Sequence, residues 1–508
     1  MRRILPFFAA LCLLILPACA PALSAAPTLS PVPVLPTAPP TPTVVPPTST
    51  PTATLQPTPT ELPPTLTPSP APPALTHYQL TVDLSFDQKT AAVQMQVAYT
   101  NPSPEALTHL RLVIPPLAYP GAFTLQSIQW AGGEAVKEAV WRENGLEIPL
   151  PTPLPPGGAL ALEMAYNLAF PSAAAVNSVR PVPFAYTARQ VNLVDWYPFI
   201  PPYRAGQGWL AHPNSYYGES LVADLAGFDV TLRLTDARAD LIAAASAPAE
   251  VNGAERRYHA PALRSFALSI SPDYQIAKTT VEGIEISSYY FPAHALAGEA
   301  APRIMAEAVA LFQDLFGPYP HPTLALVEAE FLDGMEYDGL VFVSRGMYNL
   351  YGGTPAEYFH ALTIHETAHQ WWFALIGSDQ AIEPWLDEGF STYCEFLYYE
   401  RYHPEAAQWW WDVRINYYKP SGWVNSTVYD HLGQPGNYDL YRNAVYFNGA
   451  VFLHELRQAV GDEAFFAALQ DYAQQYAGQI ATSQDFFAIL ASHTTVDIEP
   501  LMKRFFKN

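Results

Sequence analysis

Apolar and polar residues alternate strictly from Tyr78 onward, with Tyr78, Leu80, Val82, Leu84 and Phe86 on one side and Gln79, Thr81, Asp83 and Ser85 on the other. Successive side chains of a strand point to opposite faces, so this period predicts a half-buried strand. Asp87-Gln88-Lys89 turns the chain into a second such run over 91–99, and further strand-like runs lie at 110–114, 160–166, 228–234 and 266–270. Antiparallel β structure is the natural reading. Near Thr279 the period changes, and helical patterns follow over 299–315, 354–377, 384–402, 404–418 and 445–459. The 354–377 pattern opens on Thr354-Pro355-Ala356-Glu357, which has capping-box spacing with proline at the first helical position, and Gly377 is its stop. We place a domain boundary between 278 and 279.

The chain ahead of this body has a different texture. Arg2 and Arg3 precede an apolar run from Ile4 to Leu16, too short to span a membrane and expected to be a signal peptide over 1–18. It ends in Leu16-Pro17-Ala18-Cys19, which resembles a bacterial lipobox, so Cys19 is the expected lipidation site and first mature residue. Pro, Thr, Ala and Ser dominate from there to residue 76, with almost no charge, a composition that cannot bury enough apolar area to fold. The 19–76 segment reads as a tether of up to about 170 Å at ~3.1 Å per residue. The expected location is therefore extracytoplasmic, lipid-anchored to a bacterial cell membrane.

Charge and cysteine content narrow the partners. The net charge is −22, and −24 once Arg2 and Arg3 leave with the leader, which argues against nucleic acid. Cys12 leaves with the leader and Cys19 carries lipid, so Cys394 remains alone, with no internal disulfide and the expected role of a small packing residue. Oligomeric state is not readable.

Residues 365–388 carry the chemistry. His365-Glu366-Thr367-Ala368-His369 is followed after eighteen residues by Glu388, inside Trp385-Leu386-Asp387-Glu388-Gly389-Phe390. Helix positions four apart share a face, so both histidines can aim a ring nitrogen at one metal while Glu366 projects beside them to hold a water. Of thirteen histidines only these two stand four apart. Glu388 lies among apolar neighbours, where an unpaired charge is costly, and supplies a third ligand that leaves one tetrahedral position open. The pattern predicts one catalytic Zn2+ per chain and a hydrolase.

The same residues carry a family resemblance. His365 to Trp371 resembles the HELAHQW segment of the gluzincin, aminopeptidase N-like zinc metallopeptidases, and Trp385 to Phe390 is similar to their WLNEGFA segment. Gly334-Met335-Glu336-Tyr337 is similar to the GAMEN motif, and Tyr446-Phe447-Asn448-Gly449 resembles the YxKG segment. The resemblance covers residues 77–508. It implies an α+β fold, with an N-terminal antiparallel β saddle domain over 77–278 and a thermolysin-like, mainly helical catalytic domain with a small mixed sheet over 279–508. It further implies peptide substrates, Tyr446 as oxyanion donor with Tyr441 in support, and Glu336 as the α-amine ligand on a strand whose Gly334 and Met335 meet the substrate backbone. Gln190, in Thr187-Ala188-Arg189-Gln190, is a second amine contact on this resemblance. The motif asparagine is Tyr337 here, the lysine is Asn448, and 120 residues follow Glu388, fewer than the long helical C-terminal domain of full-length members needs, which implies a more open cleft. A zinc endopeptidase on the same metal core, or a peptide-binding lipoprotein without catalysis, are the alternatives.

Overall fold

The computed structural model describes residues 75–173, 182–215, 217–434 and 436–507. The signal peptide, Cys19 and nearly all of the tether lie outside them. Among the described residues no helix is long and apolar enough to cross a membrane.

The alternating run forms the strand Thr76–Ser85, with Leu80, Val82 and Leu84 buried. It pairs antiparallel with Thr90–Thr100, Leu80 opposite Met95 and Val82 opposite Val93, so two apolar stripes meet on one face. A seven-stranded sheet extends from this hairpin, and two three-stranded sheets and a two-stranded one complete the β-rich part among the described residues. One pair departs from the antiparallel expectation. Thr76–Ser85 lies parallel to Ala226–Leu234, a pairing that a long connection permits and a tight turn does not.

The change of period expected at 278/279 falls inside the strand Gln275–Val281, which already belongs to a second, five-stranded sheet. That sheet is mixed, and the short strand Gly334–Tyr337 forms its edge. Its strands alternate between two cores: Leu324, Leu326, Val341 and Val343 face the helices, while Ala325, Val327, Leu340 and Phe342 face the β-rich part. The β-rich and helical parts thus share a buried boundary and form one compact unit.

The helices Ala295–Phe316 and Trp385–Tyr402 match the helical periods closely. The 354–377 pattern is cut shorter. Thr354 does donate to Glu357, at 2.7 Å, but this exposed pair precedes the helix, which begins at Tyr358 and passes after His369 into a π turn over Gln370–Leu375. The 404–418 pattern breaks into short turns around a second π turn, Trp410–Ile415, and a third, Asn443–Phe447, leads into the helix Asn448–Val460. π turns insert an extra residue and often mark functional sites. All three border the site described next.

Candidate active site

The helix Tyr358–His369 and the helix Trp385–Tyr402 pack side by side and bring together the residues singled out by spacing. His365 Nε2 lies 3.1 Å and His369 Nε2 3.6 Å from Glu388 Oε2. One donor atom from each of the three falls within 4.8 Å of the others. The opposite ring nitrogens are held by acids: His365 Nδ1 is 3.0 Å from Glu395 Oε1, and His369 Nδ1 contacts Asp387 Oδ1. A carboxylate accepting from Nδ1–H leaves Nε2 as the lone-pair nitrogen, the form a metal needs. Glu395 is itself gripped by Arg414 through two bonds of 2.8 and 2.9 Å and by Trp410 Nε1 at 2.9 Å. Burial alone would raise the Glu395 pKa, but Arg414 and His365 outweigh it and hold the carboxyl below the usual range.

Three other carboxylates of the site behave oppositely. Burial, followed by repulsion from neighbouring acids, pushes Glu366 and Glu336 well above the carboxylate range. Burial also raises Glu388 to about 7, against the pull of His369. Glu366 Oε2 is buried without a hydrogen-bond partner. Two imidazole nitrogens, a carboxylate oxygen and an orphaned acid beside them fit a divalent cation such as zinc, whose charge would relieve this crowding.

Three glycines set the spacing. A Cβ on Gly334 would collide with Glu366 Oε1, so the edge strand lies directly against this acid. A Cβ on Gly449 would stand 3.0 Å from the Gly389 α-carbon, so the helices Trp385–Tyr402 and Asn448–Val460 approach at their two glycines. This approach delivers Tyr446, whose hydroxyl donates to Glu388 Oε1 at 2.6 Å.

A cavity of about 350 Å³ contains His365, Glu366, His369, Glu388, Tyr446, Gly334, Met335 and Glu336 among its walls. Gln190 does not line it. Its amide nitrogen bonds Tyr274 Oη and the Glu328 carbonyl, and its oxygen accepts from Glu330 N–H, so the side chain is spent joining two sheets. Tyr441 is also absent from the wall. It is fully buried, with its ring 5.9 Å from that of Tyr446 and its hydroxyl against Gly218, and so backs the site instead of facing substrate. Cys394 packs as expected, accepting from Trp372 Nε1, and burial pushes its thiol up out of the reactive range.

Sequence reasoning missed Glu219. Carried on a loop after Gly218, it brings a carboxylate oxygen within 4.8 Å of donor atoms of both Glu336 and Glu388. A lone acid in an irregular loop has no period, and only the nearby Gly218, at φ +71°, marks the turn that presents it. The Asp387 and Glu395 supports were equally silent as isolated residues, although both lie on the helix that carries Glu388.

Residues 301–505 match the peptidase family M1 domain. Aminopeptidase M1-B of rice is 28% identical over 241 residues, 45% of this chain and 27% of that protein. Aminopeptidase M1 of Arabidopsis thaliana is 26% identical over 302 residues, 56% and 34% respectively. The chain therefore spans about a quarter to a third of the length of these relatives. Among solved structures, an M1 zinc metallopeptidase from Deinococcus radiodurans superposes with a TM-score of 0.62 at 21% identity, covering 85% of this chain and 93% of that one. A glutamate-to-alanine mutant from the same organism, bound to a Tyr-Ser-Ala substrate, gives 0.60 at 20%, covering 86% and 95%. These likenesses show the same two-part fold.

Proposed function

We propose, on the match of residues 301–505 to the peptidase family M1 domain, that the chain is a zinc aminopeptidase that removes N-terminal residues from peptides outside the cytoplasm. The observation that carries the reading is the pair Glu336 and Glu219 beside the metal set, their donor atoms within 4.8 Å of one another and of Glu388. Two adjacent acids at one side of the scissile position are suited to a free α-ammonium, which donates charge-assisted hydrogen bonds to both.

His365 Nε2, His369 Nε2 and Glu388 would hold the zinc, which supplies Lewis acidity toward the scissile carbonyl and the attacking water. Glu366, raised by burial and its acidic neighbours, takes the proton from that water and later passes it to the leaving amine. Tyr446 Oη, already within 2.6 Å of Glu388 Oε1, donates to the carbonyl oxygen as negative charge builds there. Asp387 and Glu395 keep the two imidazoles in one tautomer, and Gly334 leaves room for Glu366 to stand against the edge strand.

The location rests on Ala18-Cys19 at the end of the apolar leader and on the charge-poor tether behind it. Glu336→Ala and Glu219→Ala, assayed on free and N-acetylated aminoacyl amides, test the amine site. Each should raise KM for the free amine by about tenfold or more and leave zinc content intact. Unchanged KM in both variants would refute it.

A further inference from the structure

The cavity continues past the amine acids toward the β-rich part, where Tyr119, Phe184, Tyr197, Phe199 and Met335 form its walls and Asp195 faces it. Glu336 and Tyr337 are neighbours on the edge strand and point to opposite sides of it. Tyr337 belongs to the core shared with the β-rich part, and its hydroxyl donates to Asp195 Oδ2 at 3.0 Å. That is the one hydrogen bond to the Asp195 side chain among the described residues, and among them no lysine, arginine or histidine pairs with it. Asp195 also adopts φ +50°, a left-handed conformation that a non-glycine residue holds at a cost and that recurs at binding sites.

The cavity's own arginines do not supply the missing charge. Arg264 donates to the carbonyls of Ala374, Ala223, Leu375 and Gln479, Arg414 is locked to Glu395, and Arg442 pairs with Asp439. Burial pushes the Asp195 carboxyl up to about 6, so at neutral pH it is largely ionised, half-buried and without a cationic partner among the described residues. Aromatic walls leading to such a carboxylate suit a long side chain with a cationic head, which stacks on rings along its length and ends in an ion pair.

Resting on the aminopeptidase reading, we infer that the aromatic chamber ending at Asp195 and Tyr337 receives the side chain of the N-terminal residue, and selects arginine or lysine there. Tyr337, which replaces the asparagine of the resembled motif, is then a positioning residue that fixes Asp195 for this contact.

Arginyl and citrullinyl 7-amido-4-methylcoumarin decide the matter, because citrulline has nearly the shape of arginine without its charge. The zinc-loaded full chain should show a kcat/KM at least about 30-fold higher for arginyl than for citrullinyl, since the half-buried Asp195 carboxylate facing a neutral head loses its partner. Asp195→Asn should bring the ratio close to one, and the wild-type ratio stands as a test even if that variant folds poorly. Leucyl hydrolysis with equal rates on arginyl and citrullinyl substrates would overturn the chamber's role alone. A preference for tyrosyl over phenylalanyl without any for arginyl over citrullinyl would likewise overturn cation selection. Failure to release coumarin from any free-amine substrate, leucyl included, would refute the aminopeptidase reading and this inference with it.

Discussion

Gly334 and Glu366 touch so closely that a methyl group at Gly334 would overlap Glu366 Oε1. The group that must yield is the end of a flexible side chain, so relief is cheap in stability and costly in geometry. Gly334→Ala should leave Tm within a few degrees and zinc content unchanged while lowering kcat by about 10²-fold, the effect of moving a reacting group by ~1 Å. Wild-type kcat in this variant would mean that Glu366 does not act from the position seen here.

Metal and base separate cleanly by substitution. His365→Ala, His369→Ala or Glu388→Ala each removes one of three ligands and should lower bound zinc, whereas Glu366→Gln should keep zinc and lose turnover. Zinc per chain, measured beside activity, checks both halves. Full activity after complete chelation would rule out a metal-dependent reaction.

His360, buried on the same helix, gives a pH signature remote from the ligands. Burial, followed by the nearby His403 and Arg303, lowers its pKa to about 3, from an ordinary 6.5. The unfolded chain therefore binds a proton that the folded one refuses between those values. Its stabilising effect is complete above pH ~6.5 and declines as pH falls toward 3, at up to about 1.4 kcal/mol per unit. His360→Gln, which retains a donor toward Tyr398, should flatten unfolding free energy between pH 6.5 and 5 by about 2 kcal/mol relative to wild type. Parallel curves for the two proteins would contradict the assignment.

The metal ligands were legible because a helix converts a four-residue spacing into a shared face, and the companion carboxylate sits in an apolar stretch that would not tolerate it unpaired. Tyr446 was legible through its motif, and Gly389 and Gly449 explain physically why the two helices can close on it. What depended on tertiary approach was not legible. Glu219 reaches the site from an irregular loop, Gln190 is drawn into the junction of two sheets, and Asp195 gains meaning only once Tyr337 is seen to meet it. The three π turns escaped for a related reason: one inserted residue leaves the apolar period nearly intact while shifting which face each side chain takes.

The anchor is tested apart from the fold. If Cys19 is acylated as proposed, Cys19→Ser should move the protein from the membrane fraction to the soluble extracytoplasmic fraction with specific activity unchanged, because the long tether would separate lipid from enzyme. Mass spectrometry of the mature N-terminus reads the outcome directly, and an unmodified terminus beginning at another residue would refute lipidation.

In the proposed function, a metal centre and an acidic amine site together count one residue from a free N-terminus. Digestion of a defined heptapeptide and of its N-acetylated twin by the zinc-loaded full chain, followed in time by mass spectrometry, tests this most directly. The free peptide should shorten one residue at a time from its N-terminus, and the acetylated peptide should stay intact. Internal fragments from both at similar rates would refute the aminopeptidase reading and establish an endopeptidase on the same metal core.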